Sequence, residues 1–252
     1  MNDPLYYHYY DRIFTAKDYR SEADTVIATA RSIAGVLPQR ILDVGCGTGG
    51  HSLYFAEVCE VIATDIDPSV IAIATEKLKS NDSGRLKFLC SDIADLEEDG
   101  FDLVVSLFNV VNYLPSCAAL LRFFEGISGR MTPGGTLIFD AWNGLAAIMD
   151  PPKVKESVIA AGDELITINT VPTVDLINQS VTVNNDVVVK NGTEVSSFSF
   201  CYRQTLWTPR VLKDILAMAG LTVDRITVWM DPETPAGSDT WKIMFIVRKG
   251  VC

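Results

Sequence analysis

The sequence predicts an α/β fold: an open, mostly parallel sheet covered by helices on both faces, with a separate antiparallel sheet inserted late in the chain. Three observations carry this. The apolar run Ile41-Leu42-Asp43-Val44 passes directly into Gly45-Cys46-Gly47-Thr48-Gly49-Gly50, a strand that turns on glycines into a helix. Up to residue 150, short apolar runs alternate with stretches of helical period. Between Pro151 and about Trp207 that period disappears, and polar–apolar alternation replaces it.

The chain has 252 residues, enough for one large domain or a domain with an insertion. Residues 1–150 and 208–252 read as the core domain and 151–207 as the insertion. The net charge of −11 argues against nucleic acid as a partner, which favours a basic face, and against an anionic membrane surface. Cys46, Cys59, Cys90, Cys117, Cys201 and Cys252 are scattered without a C-x-x-C pair, and the histidines are His8 and His51. No metal site is expected from that spacing, and most of the cysteines read as reduced core residues. Met1-Asn2-Asp3-Pro4 lacks the basic-then-apolar pattern of a signal peptide, and no apolar run is long enough to cross a bilayer. The expected setting is cytoplasmic.

Residues 5–19 are rich in tyrosine: Tyr6, Tyr7, Tyr9, Tyr10 and Tyr19. They suit either aromatic packing on the body or a lid that brings a hydroxyl to a substrate. Residues 21–37 carry Val26, Ile27, Ala30, Ile33 and Ala34 at helical spacing, with Pro38 as the stop. A strand over 40–44, a helix over 51–57 and a strand over 58–64 follow. A helix over 68–78, a turn at Asn81-Asp82-Ser83-Gly84 and a strand over 86–90 come next. The near-continuous apolar run 101–108 reads as a strand buried on both faces. A helix over 117–131 stops at Pro133-Gly134-Gly135, and a strand covers 136–139. In the insertion, 167–171, 180–184, 187–189 and 196–202 read as strands, with Asn191-Gly192 as a hairpin turn. The result is three or four antiparallel strands. Thr208 caps a helix over 209–219 that ends at Gly220. A strand over 222–229, a proline-containing loop over 231–237 and a closing strand over 241–247 complete the chain.

Two ligand classes fit the glycine turn. Gly45, Gly47 and Gly50 match G-x-G-x-x-G, and Asp65 lies at about the ~20-residue spacing of a ribose-binding acid, as in a dinucleotide site. Asp43 discriminates. A carboxylate two residues before the first glycine repels the pyrophosphate that such a turn would face. S-adenosylmethionine (SAM) has no phosphate, and Asp43 suits its cationic amino-acid tail. An NAD-dependent oxidoreductase remains the alternative enzyme, and a SAM-binding module without catalysis the alternative of another class.

Leu42 to Gly49, LDVGCGTG, resembles motif I of the class I SAM-dependent methyltransferases. Ala63-Thr64-Asp65-Ile66-Asp67 resembles their second motif and Cys90-Ser91-Asp92-Ile93 their third. The resemblance implies a Rossmann-like sheet of seven strands in the order 3-2-1-4-5-7-6, the last antiparallel. It places Asp43, Gly45, Cys46, Gly47 and Gly49 at the cofactor tail. Asp65 meets the ribose hydroxyls, whose two protons a carboxylate can accept together. Ile66 lies on the adenine face, and Asp92 and the Ile93 N–H meet the adenine edge. Asn109, Asn112 and Tyr113 follow the fourth strand, where this fold borders the transferable methyl.

Tyr10-Asp11 with Lys17-Asp18-Tyr19 and Glu22 resembles the N-terminal region of methyltransferases acting on nucleotide-linked amino sugars. That resemblance implies a catalytic place for Tyr10, with Tyr19 as a second, substrate-side candidate. The same group brings a histidine or other polar residue near the acceptor where this chain has Tyr113. Asp140-Ala141-Trp142-Asn143-Gly144 and Gly237-Ser238-Asp239-Thr240-Trp241 resemble enzymes of sugar pathways. Asp140, at the end of a central strand, is thus a candidate base, and Trp142 and Trp241 are candidate substrate contacts. His51 is a minor candidate beside the cofactor tail. The insertion forms one wall of the substrate pocket, an interface of a homodimer, or both. The expected reaction is methyl transfer to an amine or hydroxyl of a small, sugar-type and perhaps nucleotide-linked acceptor. An amine needs only to be neutral, whereas an alcohol normally needs a base or a metal. No clear base stands out, which leans toward nitrogen.

Overall fold

The computed structural model describes residues 4–79 and 84–251. Helices α1 (Pro4–Ile13) and α2 (Tyr19–Ala34) precede the sheet. The core then runs β1 (Arg40–Val44), α3 (Ser52–Phe55), β2 (Glu60–Asp65), α4 (Pro68–Lys79), β3 (Leu86–Cys90), β4 (Phe101–Ser106), a 3-10 turn (Val110–Tyr113), α5 (Cys117–Arg130) and β5 (Met131–Trp142). After α6 (Gly144–Met149) come the four strands of the insertion: β6 (Lys155–Ala161), β7 (Glu164–Asp175), β8 (Ser180–Asn191) and β9 (Glu194–Thr205). The chain closes with α7 (Pro209–Met218), β10 (Leu221–Val228), β11 (Asp231–Pro235) and β12 (Lys242–Lys249).

The larger sheet has the order β11-β10-β12-β5-β4-β1-β2-β3. β1 to β5 are parallel to one another, and β12 runs antiparallel to both β5 and β10. The expected seven-strand order is therefore present, with β11 added outside it. Alternation along the strands builds two cores. Leu42, Val104, Leu137 and Phe245 pack under α5 and α7, and Ile41, Val105, Ile138 and Met244 pack under α2 and α3. Local chemistry sets the helix ends. Asp18 accepts the Ser21 N–H at 3.0 Å to start α2. Gly35, at φ 75°, ends it before Pro38 is reached. Thr208 caps α7 through the Val211 N–H.

Several boundaries differ from the sequence reading. β11 occupies the expected loop 231–237. It is an edge strand, where Pro232 and Pro235 cost no internal ladder bond. β5 starts at Met131 and includes Pro133-Gly134-Gly135, accommodated by a bulge opposite β4 between Phe101 and Leu103. Segments 180–184 and 187–189 are one strand, and β6 is a strand that alternation had not marked. α3 is shorter than 51–57, and β4 ends at Ser106. Of the expected turn at 81–84, residues 81–83 lie outside the described residues. So does the tetrapeptide at the N-terminus apart from Pro4.

The insertion is an antiparallel sheet in the order β6-β7-β8-β9. Asn191-Gly192 turns β8 into β9, with Gly192 at φ 58°. Helix α1 lies on its apolar face. Tyr9 and Ile13 pack with Ile166, Ile168, Val187, Val189, Phe198 and Phe200, and Arg12 pairs with Glu164 at 2.7 Å. The far end of β9 is tied to the core by Asn112 Nδ2 donating to the Thr205 carbonyl at 2.8 Å and Thr205 Oγ1 donating to the Leu114 carbonyl at 2.9 Å. Among the described residues, no helix is long and apolar enough to cross a membrane.

Candidate active site

At the carboxyl edge of the parallel strands lies a cavity of about 520 Å³. Its floor is the glycine turn after β1 and the ends of β2 and β3. Its roof is α1 and β9, and one side is the loop that follows β4.

The turn is built from backbone. Gly45 and Cys46 donate their N–H groups to the Thr64 carbonyl at 2.8 and 3.0 Å, and Gly47 donates to Asp65 Oδ2 at 2.9 Å. Gly45 sits at φ 76°, and a Cβ there would stand 2.7 Å from Val110 Cγ2. Only glycine satisfies both constraints. Gly47, at φ 55°, faces the Tyr10 hydroxyl 3.7 Å from where a Cβ would be, so a ligand can approach the backbone closely. Gly49 is also left-handed. Gly50, the third glycine of the fingerprint, is not; it leaves room for the Tyr19 ring.

Behind the turn a small recess of about 30 Å³ shares Tyr10, Gly45, Gly47, Leu107 and Phe108 with the main cavity. Asp43 lines it. It is buried and accepts the Ser52 hydroxyl at 2.6 Å. Burial pushes its carboxyl above the usual range, and the Ser52 bond opposes that rise. Cys46 lines the recess too, and burial drives its thiol pKa up, so the sulfur stays a thiol.

Asp65, Ile66, Asp92 and Ile93 all border the main cavity. Asp65 spends one lone pair on Gly47 and one on the Asp67 N–H at 3.0 Å, leaving each oxygen a further site. Ile66 is 72 % exposed, an apolar platform facing open space. Asp92 Oδ1 takes the Ala94 N–H at 2.9 Å, and the Ile93 side chain is buried in the core beneath. A glycine cradle open at Gly47, an exposed apolar face, a carboxylate at ribose distance in sequence and a buried acid at the far recess together fit SAM.

The side of the cavity under α1 and β9 is aromatic. Tyr6 and Tyr10 share one face of α1 at i, i+4, with rings edge-to-face at 5.6 Å. Tyr113 meets Tyr202 at 6.1 Å, and Tyr6 meets Phe200 at 4.4 Å. Burial pushes the Tyr6, Tyr10 and Tyr202 hydroxyls up, so they stay protonated. Tyr7 donates to Asp67 Oδ2 at 2.8 Å, linking α1 to the end of β2. From sequence Tyr6 and Tyr7 were read only as part of the tyrosine-rich segment, and Tyr202 and Phe108 were not singled out. The i, i+4 spacing of Tyr6 and Tyr10 was the available signal; Tyr202 gave none, because its alternating run does not say what its face meets.

Other expected residues lie elsewhere. Asp140 does not line the cavity. Alternation along β5 puts it on the face of Ile138, opposite Met244 in register, fully buried. Its oxygens accept the Phe108 and Asn109 N–H groups at 2.6 and 3.2 Å, and Lys242 Nζ lies 3.0 Å away. Phe108 and Asn109 are left-handed at φ 78° and 59°, a conformation non-glycine residues adopt only when the surroundings impose it. Asp140 thus anchors the loop that carries Phe108 to the cavity; it is not placed as a base. With its amide oriented so that oxygen and nitrogen both find partners, Asn109 donates to Asp140 Oδ2 at 3.0 Å and accepts from Trp142 Nε1 at 3.2 Å. Asn112 is buried and accepts the Trp142 N–H at 2.9 Å, besides holding Thr205. Trp142 and Trp241 meet edge-to-face at 5.7 Å and pack against Ala147, Val181, Val183 and Leu206, away from the cavity. Tyr19 lines the recess and not the main cavity. His51 is held by Glu22 at 2.7 Å, and Lys17 pairs with the same carboxylate. Burial would raise the Glu22 pKa, but these two partners outweigh it and bring it to about 2.

Residues 41–135 match the family model described as a methyltransferase domain. YqeM of Bacillus subtilis (strain 168), a candidate methyltransferase, is 28 % identical over 223 residues, 86 % of this chain and 87 % of that protein. The dTDP-4-amino-2,3,4,6-tetradeoxy-D-glucose N,N-dimethyltransferase of Saccharopolyspora spinosa is 28 % identical over 139 residues, covering 53 % of each chain. Among solved structures, a SAM-dependent methyltransferase from Clostridium acetobutylicum superposes with a TM-score of 0.82 at 19 % identity, covering 98 % of both chains. SAM-bound CalS10, an amino pentose methyltransferase from Micromonospora echinaspora, does so with 0.77 at 20 % identity, covering 99 % of this chain and 98 % of its own.

Proposed function

We propose that this chain is a SAM-dependent methyltransferase whose acceptor is the amine of a small, sugar-like molecule held under α1 and β9. The observation that carries the reading is the tyrosine-lined wall: the Tyr6, Tyr10 and Tyr202 hydroxyls, kept protonated by burial, stand beside the glycine turn, while the carboxylates that line the cavity, Asp65, Asp67 and Asp92, lie at the ends of β2 and β3. Protonated hydroxyls orient a polar ring but do not take a proton from an alcohol at neutral pH. A neutral amine needs no such help. The amino-sugar specificities of the Saccharopolyspora relative and of CalS10 support the same reading.

In this reading Gly45, Gly47 and Gly49 carry the cofactor tail toward Asp43, Asp65 holds the ribose and Ile66, Asp92 and Ile93 the adenine. The amine lone pair forms the N–C bond as the methyl–sulfonium bond breaks, leaving S-adenosylhomocysteine and an ammonium that loses its proton. The chain's own work is alignment and desolvation. Tyr10 and Tyr113 orient the acceptor, Phe108 confines it, and α1 excludes water. Residues 151–207 act as the inserted unit that supplies the outer wall, and 1–150 with 208–252 as the cofactor-binding unit.

The test is S-adenosylhomocysteine release with paired amino and hydroxyl sugars. Turnover of the amino member alone is expected, with a rate that rises with pH until the acceptor amine is neutral. Turnover of the hydroxyl member alone would sink the proposal.

A further inference from the structure

The cavity's charge says what the acceptor's scaffold is. Its ionisable carboxylates are Asp65, Asp67 and Asp92, and among the described residues that line it there is no Lys, Arg or His. Residues 1–3, 80–83 and 252 contain none of these either, and Lys79 is the last residue of α4, eleven positions beyond Pro68 at the end nearer the cavity. Four basic side chains on or near the elements that build it pair with acids: Arg12 with Glu164 at 2.7 Å, Lys77 with Asp11 at 2.6 Å, Lys242 with Asp140 at 3.0 Å, and Lys17 with Glu22. Arg203 neighbours Tyr202 in sequence, but alternation turns it to the opposite face of β9, where it meets the Ser180 hydroxyl. The start of α5 follows Pro115 at the mouth, and Ser116 already caps it through the Ala119 N–H.

Recognition of a diphosphate draws on Arg forks, Lys charges or open helix N-termini. Beside the cofactor side, where Asp65 and Asp92 lie, this cavity offers aromatic faces and neutral hydroxyls, which suit a polar ring with apolar faces, and, among the described residues, no cation to meet a diphosphate. Asp67, joined to Tyr7, adds negative charge next to the rings and disfavours an anion there. We infer that the acceptor amine sits on a scaffold without phosphate, a glycoside or a comparable neutral ring, and not on a nucleotide-linked sugar. The inference rests on the amine reading above and departs from the nucleotide-linked sugar named for the Saccharopolyspora relative.

Calorimetric titration of the full chain, saturated with S-adenosylhomocysteine, tests it with three probes. They are a methyl glycoside of a 4-amino-4-deoxy sugar, the thymidine-diphosphate-linked form of the same sugar, and the methyl glycoside bearing a hydroxyl in place of the amine. The neutral amine is expected to bind at least about tenfold more tightly than the nucleotide-linked form. Equal or tighter binding of the nucleotide-linked form overturns the inference and leaves the amine reading standing. Equal binding of the two methyl glycosides, both tighter than the nucleotide-linked form, supports a phosphate-free scaffold and counts against the amine. Failure of both methyl glycosides to bind overturns the inference.

Discussion

The floor and the roof of the cavity are built by opposite means. The floor is backbone: left-handed glycines and N–H groups fixed on Thr64 and Asp65, all within a short stretch of chain. The roof is side chain: rings from α1, from the 3-10 turn and from β9, brought together from positions nearly two hundred residues apart. At its left-handed, crowded glycines, Gly45 and Gly49, such a turn tolerates almost no change of residue. A side-chain site can be re-tailored one ring at a time. One cofactor can therefore be kept while acceptors diversify.

The seam between the two is the loop held by Asp140, and breaking it is expected to have the largest effect. Asp140→Ala leaves Lys242 and two backbone N–H groups without their acceptor, at a cost of about 3–5 kcal/mol. Urea unfolding measures this, and the Asp140→Ala/Lys242→Met double variant should recover part of it. A single variant as stable as the parent would show that the loop holds itself. On the floor, Gly45→Ala meets both the positive φ and Val110. S-adenosylhomocysteine affinity should fall by about a hundredfold, or about 2.7 kcal/mol, and an unchanged dissociation constant would remove the cradle from the cofactor site. On the roof, Tyr10→Phe should cost about tenfold in kcat/KM for the acceptor, about 1.4 kcal/mol, with cofactor affinity unchanged. Loss of cofactor affinity instead would move Tyr10 to the floor, which its position opposite Gly47 makes a sharp distinction.

The smallest effect concerns pH. Glu22 is held at about 2, below the ordinary carboxylate, by His51 and Lys17 against the pull of burial. A depressed folded pKa contributes stability that is present above the unfolded value and is lost as pH falls toward 2. Glu22→Gln should therefore lower stability near neutrality and flatten the acid limb between roughly pH 4.5 and 2. Parallel acid limbs for parent and variant would show that the pair contributes nothing.

The same contrast governs what the sequence disclosed. Asp43, the glycines and Asp65 were legible because their spacing along one strand–turn–helix corner is the geometry. The roof was half legible: Tyr10 stood in a visibly aromatic segment, but Tyr202 needs the register of β9 to reach it. Asp140 was misplaced for a related reason. A strand's two-residue period separates two faces without saying which one meets the crevice, and β5 turns Asp140 toward Met244 and Phe108. Asn109, Asn112, Trp142 and Trp241 carry polar and aromatic groups typical of a site, yet they are consumed in joining the loop, β5 and the insertion. β11 was hidden because Pro232 and Pro235 weigh against a strand everywhere except at an edge.

Helix α1 touches both compartments. Tyr7 and Asp11 reach Asp67, Thr48 and Lys77 on the floor, while Tyr9, Ile13 and Arg12 grip the insertion. A ligand that steadies this helix from one side prepares the contacts used on the other. Thermodynamic linkage makes such help mutual: whatever factor the cofactor adds to acceptor affinity, the acceptor returns to the cofactor. In the proposed reading, such coupling would belong to the two binding affinities, with α1 as the element that both sites touch.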